Sequence, residues 1–138
     1  MISDRDVEFY NENGYLVVEN VLSAEQLSTL RQEVSDIISK AAEVSENNEI
    51  YDLEASHSPQ NPRVRRIKEP HRWLPVVNRL KSDPNIVKIL TRLMGPDVRF
   101  QVSKLNMKAA NYGAPVQWHQ DWAFYPHTNQ NLLAAGIM

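Results

Sequence analysis

Pro115-Val116-Gln117-Trp118-His119-Gln120-Asp121-Trp122-Ala123-Phe124-Tyr125-Pro126 is the stretch on which the reading of this chain turns. Side chains alternate along an extended segment, so His119 and Asp121 share one face and Gln120 the other. An imidazole nitrogen and a carboxylate oxygen on one face can grip a single metal ion. They are two of the three protein ligands in the two-histidine, one-carboxylate arrangement that holds Fe(II) and leaves positions open for oxygen and a co-substrate. A second histidine is the ligand still to be found. Asn111-Tyr112-Gly113-Ala114-Pro115 before the pair is rich in turn formers, and Trp118, Trp122, Phe124 and Tyr125 flank it, as a walled, partly apolar pocket over a metal requires. Trp118 and Trp122 fall on the face of Gln120 and serve equally well as packing residues or as walls for a substrate.

The rest of the composition is compatible with such a site and narrows its chemistry. At 138 residues and 42% apolar, the chain has the size of one ordinary globular domain with a core. Its formal net charge of −2 offers no basic stripe for nucleic acid, and the one basic cluster, Arg63 to Lys68, reads first as a solvated segment. No run has the apolar length of a membrane span and the start is charged, so a soluble, cytoplasmic protein is expected. With no cysteine, disulfides, thiolate zinc sites and iron–sulfur clusters are excluded, and any metal must be held by nitrogen and oxygen.

Before the key stretch, the chain reads as helices. Ser3 and Asp6 form a capping box, Ile2 stands to staple against Val7, and Gly14 closes a first helix. Tyr15 to Val18 is β-branched and aromatic and reads as a strand. Ser23 and Gln26 repeat the capping box, with Leu22 and Leu27 as staple, before a long helix whose stripe is Leu27, Leu30, Val34, Ile37, Ile38 and Ala41. Ser45 to Pro62 is polar and aperiodic, a loop that serves either as a lid or as a plain connection. Arg63 to Ile67 alternates as a short strand. Trp73, Val76, Val77 and Leu80 predict a helix, and Asp83-Pro84 opens another that Gly95 ends.

Val98 to Lys108 reads as a strand whose even positions run Val98, Phe100, Val102, Lys104, Asn106, Lys108. Either its end is simply wet, or Lys104 and Asn106 point into a barrel interior and offer donors to an acidic ligand. Leu132 to Met138 predicts a last strand. The class is α+β, helices first and strands after.

The run Pro115 to Pro126, together with the opening Phe9-Tyr10-Asn11-Glu12-Asn13-Gly14-Tyr15-Leu16-Val17-Val18-Glu19-Asn20-Val21-Leu22-Ser23, resembles the phytanoyl-CoA dioxygenase family of Fe(II)- and 2-oxoglutarate-dependent oxygenases. The resemblance implies N-terminal helices packed on a double-stranded β-helix, a cupin-like jelly roll of two facing sheets. It places a helical region at about residues 1–95 and the start of the jelly roll at about 96–138. By it, His119 and Asp121 are iron ligands, Lys104 and Asn106 line the 2-oxoglutarate site, and Arg66 stands where several members carry a lysine to that co-substrate. The implied reaction consumes O2, decarboxylates 2-oxoglutarate to succinate and hydroxylates a small organic substrate. A carboxylate at Asp121 implies hydroxylation rather than halogenation.

The resemblance also implies a second iron histidine and an arginine for the far carboxylate of 2-oxoglutarate, in a C-terminal half that follows Met138. His57, His71 and His127 continue no family motif and read as ordinary surface histidines, and Ile137 stands where several members carry tryptophan. The expectation is therefore the N-terminal part of a longer oxygenase, its single domain cut within the jelly roll and inactive alone. The rival readings are a non-catalytic interaction module with a vestigial metal pair, and a cupin-like enzyme using another ion. Substrate identity and oligomeric state are not legible.

Overall fold

Both capping boxes form as the sequence dictates. The computed structural model describes residues 2–108, 113–129 and 131–138. In α1 (Asp4–Asn13), the Ser3 hydroxyl accepts from the Asp6 amide, the Asp6 carboxylate accepts from the Ser3 amide, and Gly14 ends the helix at φ 78° with its N–H on the Tyr10 carbonyl. That left-handed exit is cheap only for glycine. In α2 (Ala24–Lys40), Ser23 and Gln26 make the same reciprocal pair. Gln26 does more, since its amide nitrogen donates to Asp83 Oδ2 at 2.7 Å. Asp83 is the N-cap of α5 (Pro84–Met94), so one glutamine fastens the start of one helix to the start of another. Arg92 near the end of α5 forms an ion pair with Asp4 of α1.

The expected single helix around Trp73 to Leu80 is two, α3 (Pro70–Trp73) and α4 (Pro75–Leu80). Pro75 is the cause, because a proline drives the residue before it out of helical geometry, and Leu74 sits at φ −113°, ψ 108°. The Val76 amide at the start of α4, which has no partner within its own helix, donates to Glu33 Oε2 of α2 at 2.9 Å.

The sheet departs most from expectation. It is three-stranded and antiparallel in the order β1 (Tyr51–Leu53), β2 (Val64–Lys68), β3 (Lys104–Asn106). Tyr51 to Leu53 lies inside the segment read as a loop. Asn47 and Asn48 shape it: Asn48 Oδ1 accepts from the amides of Ile50 and Tyr51, and Asn47 Oδ1 from that of Leu53. The first half of the polar run is thus a scaffold for a strand. Conversely, Tyr15 to Val18, most of Val98 to Lys108 and Leu132 to Met138 form no strand. Each has a strand-like composition but no neighbouring strand to pair with among the described residues, and a ladder needs a partner. Tyr15 and Val17 are exposed. Of the turn expected at Asn111-Tyr112-Gly113-Ala114-Pro115, Asn111 and Tyr112 lie outside the described residues.

Register explains why the sheet has one greasy face and one charged face. Asp52 pairs with Arg66 but Leu53 with Val64, so one residue, Arg65, is extra. This bulge resets the alternation. It lets Val64 and Ile67 both face the core, although simple period two would separate them. Tyr51, Ile67 and Leu105 align across the three strands, and with Ile37, Ala41, Val64 and Leu74 they form the core under α2. Ile67 is wholly buried, worth about 1.5–3 kcal/mol of transfer free energy. The other face carries Asp52, Arg66, Lys68, Lys104 and Asn106, and it positions the site.

Candidate metal centre

Cross-strand pairing puts Arg66 opposite Asn106 and Lys68 opposite Lys104. Arg66 Nε donates to Asn106 Oδ1 at 3.1 Å. Asp52 takes both flanking cations, with Arg66 Nη1 at 3.6 Å and Lys68 Nζ at 3.2 Å. Of the two accounts of Lys104 and Asn106, the wet strand end describes what is seen, as both residues are exposed. Their face nonetheless is the one on which the key stretch arrives. Lys104 Nζ lies 3.7 Å from Asp121 Oδ1 and 5.4 Å from the centre of the Tyr125 ring. The five residues singled out in the sequence thus fall into two polar groups on one face of the sheet, Arg66 with Asn106 and Lys104 with Asp121 and His119, set side by side by the pairing of β2 with β3. These ion pairs are partly exposed, and each is worth little by itself.

His119 and Asp121 meet, but not on a strand. Gln120 is extended at φ −107°, ψ 130°, and Asp121–Ala123 is a turn of 3₁₀-helix, closed by the Phe124 amide on the Asp121 carbonyl at 2.9 Å. The pair straddles the junction, with His119 Nε2 3.4 Å from Asp121 Oδ1. His119 Nδ1 lies 2.6 Å from the Gln117 carbonyl oxygen. A carbonyl only accepts, so Nδ1 carries the proton. In the neutral ring Nε2 is then a bare lone pair facing a carboxylate oxygen. Two acceptors at that distance repel unless a cation lies between them or beside both, or Nε2 is itself protonated and pairs with the carboxylate. Such a donor set fits a divalent metal, and the carbonyl behind the imidazole is the partner that orients metal-binding histidines. Phe124 sets its ring edge-to-face against His119 at 5.3 Å.

Trp118 is fully exposed and packs on nothing. Trp122 donates its Nε1 proton to the Asn129 carbonyl at 3.0 Å, which fixes the exit of the turn. Among the described residues no group of three or more histidines or carboxylates suited to a metal forms. His57 is half-buried rather than a surface group: Nε2 sits 2.7 Å from the Val44 carbonyl and Nδ1 accepts from the Arg63 amide. His71 Nδ1 is bonded to Ser103 Oγ at 2.7 Å. Three contributors escaped the sequence reading. Asp52 and Lys68 were detectable from the alternation around Arg66, whereas the Gln117 carbonyl, being backbone, leaves no mark on residue type.

With this geometry in hand, the chain belongs to the phytanoyl-CoA dioxygenase (PhyH) family, whose pattern matches residues 10–138. It is 38% identical over 128 residues to the probable alpha-ketoglutarate-dependent hypophosphite dioxygenase of Stutzerimonas stutzeri, an alignment covering 93% of this chain and 44% of that protein. The L-proline trans-4-hydroxylase of Streptomyces griseoviridis is 31% identical over 118 residues, 86% of this chain and 40% of that one. The crystal structure of EctD from S. alaskensis with 2-oxoglutarate and 5-hydroxyectoine superposes with a TM-score of 0.73 at 27% identity, covering 90% of this chain and 42% of that one. The chain thus spans less than half the length of these relatives. No helix is long and apolar enough to cross a membrane among the described residues.

Proposed function

We propose that the chain supplies the iron-binding pair and part of the co-substrate wall of a non-haem Fe(II)- and 2-oxoglutarate-dependent oxygenase that hydroxylates a small organic molecule. The observation that carries this reading is the convergence of His119 Nε2 and Asp121 Oδ1 at 3.4 Å, with the imidazole Nδ1–H donating to the Gln117 carbonyl. In the proposed whole, the three-stranded sheet belongs to one layer of a double-stranded β-helix. The helices come from about residues 1–95, which also supply β1 and β2 of that sheet, and about 96–138 supply β3 and the segment with the metal pair, in a polypeptide of the relatives' length that adds a second histidine and an arginine.

When bound, Fe(II) and 2-oxoglutarate together supply oxygen activation, with O2 spent on decarboxylating the co-substrate to succinate and on hydroxylating the substrate. The chain's own residues bind and orient. His119 and Asp121 hold the metal. Lys104 and Asn106 offer an ammonium and an amide to a carboxylate, and Arg66 adds a guanidinium, already aligned by Asn106. The relatives' names mention hypophosphite, ectoine and proline, all small and polar, so a small polar substrate is the reading favoured over an acyl-CoA.

The test is succinate release. In a polypeptide of the relatives' length, Fe(II), 2-oxoglutarate and air should yield succinate, and His119→Ala should abolish it. Succinate formation surviving that change would refute the assignment. The 138-residue chain alone should bind iron weakly and turn nothing over. A non-catalytic module would release no succinate in either form.

A further inference from the structure

Among the described residues Glu54 is the one buried charged side chain, at 9% exposure. It follows β1 directly, and its backbone is held on both sides: its N–H donates to the Arg63 carbonyl at 2.9 Å, and its own carbonyl accepts from the His57 amide at 2.9 Å. The side chain is therefore aimed from a fixed base. Its Oε1 accepts a hydrogen bond from the Ala114 amide at 3.1 Å, sixty residues on. Ala114 lies five positions before His119, at the point where the chain approaches the metal pair.

Few polar contacts among the described residues tie residues 113–129 to the folded body. One is Lys104 on Asp121, with the same ammonium over Tyr125. The other is Glu54 on Ala114. The remaining hydrogen bonds of this stretch are internal, such as His119 to Gln117 and Trp122 to Asn129. A buried carboxylate is a costly way to hold a loop, since desolvating the charge opposes folding, and an apolar residue of similar size is often neutral or stabilising at such a position. Global stability is a poor reason for it. A charge-assisted bond to a backbone amide is both strong and directional, which is what fixing a loop entry requires.

We infer that Glu54 is a positioning residue: through the Ala114 amide it sets the entry of the segment carrying His119 and Asp121, and so the preorganisation of the metal pair. The link to metal rests on the proposed function above; the tether itself does not. Glu54 touches neither metal nor substrate. It acts through backbone, so what it supplies at that point is an acceptor oxygen, whose bond to the Ala114 amide the carboxylate's charge strengthens.

The experiment compares wild type, Glu54→Gln, Glu54→Leu and Ala114→Pro in the metal-free chain by amide hydrogen exchange, and then by titration with Co(II). Glu54→Gln keeps an acceptor oxygen without the charge and should fall between wild type and Glu54→Leu. Glu54→Leu removes the oxygen as well, and Ala114→Pro removes the donor without touching the buried position. Both should keep the wild-type melting temperature or exceed it. Both should also speed exchange across 113–125 by about tenfold, as expected for one charge-assisted bond, with β1, β2 and α2 unchanged, and weaken Co(II) binding. A merely structural role predicts the opposite: a lower melting temperature with faster exchange throughout. That outcome, or exchange across 113–125 staying at the wild-type rate in either variant, would overturn the inference. If wild type takes up no Co(II), the metal reading fails, and the exchange pattern still decides the tether.

Discussion

Tyr51 ties the sheet to α2 with one atom. Its ring is buried in the core, and its hydroxyl donates to the Ile37 carbonyl at 2.6 Å. Burial pushes the phenol up from its ordinary value of 10.0, and the nearby Glu43 charge adds to the effect. A pKa raised on folding means that the folded state holds this proton more tightly. The stabilisation is therefore complete below the ordinary value and is lost as pH rises through the folded one. Tyr51→Phe should cost about 1 kcal/mol near neutrality, read by urea unfolding, and the gap between the two proteins should narrow in strong alkali. At the same scale the metal pair was half legible. Residue types and spacing marked His119 and Asp121 as a pair that would meet, and they do, but the imidazole tautomer depends on a backbone carbonyl that no sequence pattern displays.

Among the elements, α5 begins on the most informative cap. Hydrogen bonds from the Asn85 amide first, then from the Gln26 side chain, hold the Asp83 carboxyl below its ordinary 3.8. A depressed pKa has the opposite sign to that of Tyr51. Its contribution is present above the ordinary value and lost as pH falls through the folded one. Asp83→Ala should lower the melting temperature at neutral pH and, because it has nothing left to lose there, flatten the acid limb of a plot of melting temperature against pH; an unchanged limb would count against the cap. Caps of this kind were readable because they are local, with donor and acceptor three residues apart or fewer. The strands were not. β1 hides in an asparagine-rich run and exists through its pairing with β2, and the bulge at Arg65 breaks the period by which β2 would be read. Tyr15 to Val18 has better strand composition than Tyr51 to Leu53 and forms none, since a partner decides the matter.

For the molecule as a whole, apolar surface remains uncovered. Trp118, Phe124, Val17, Ile137 and Met138 are exposed, and among the described residues β3 is an edge strand with one side unpaired. Both features favour association. The 138-residue chain should sediment as larger species with rising concentration, roughly across the micromolar range set by weak interfaces of this kind. Replacing Trp118 and Phe124 together with serine should shift it toward the monomer. A wild type that stays monomeric throughout would show that these side chains are solvated without penalty.

The links that assemble the site all span long stretches: Arg66 to Asn106, Lys104 to Asp121, Glu54 to Ala114. In each, the residue made later docks onto one already synthesised. A ribosome working from the amino end thus delivers the receiving platform before its cargo, and the two groups proposed to grip the metal, emerging after it, come to a finished berth.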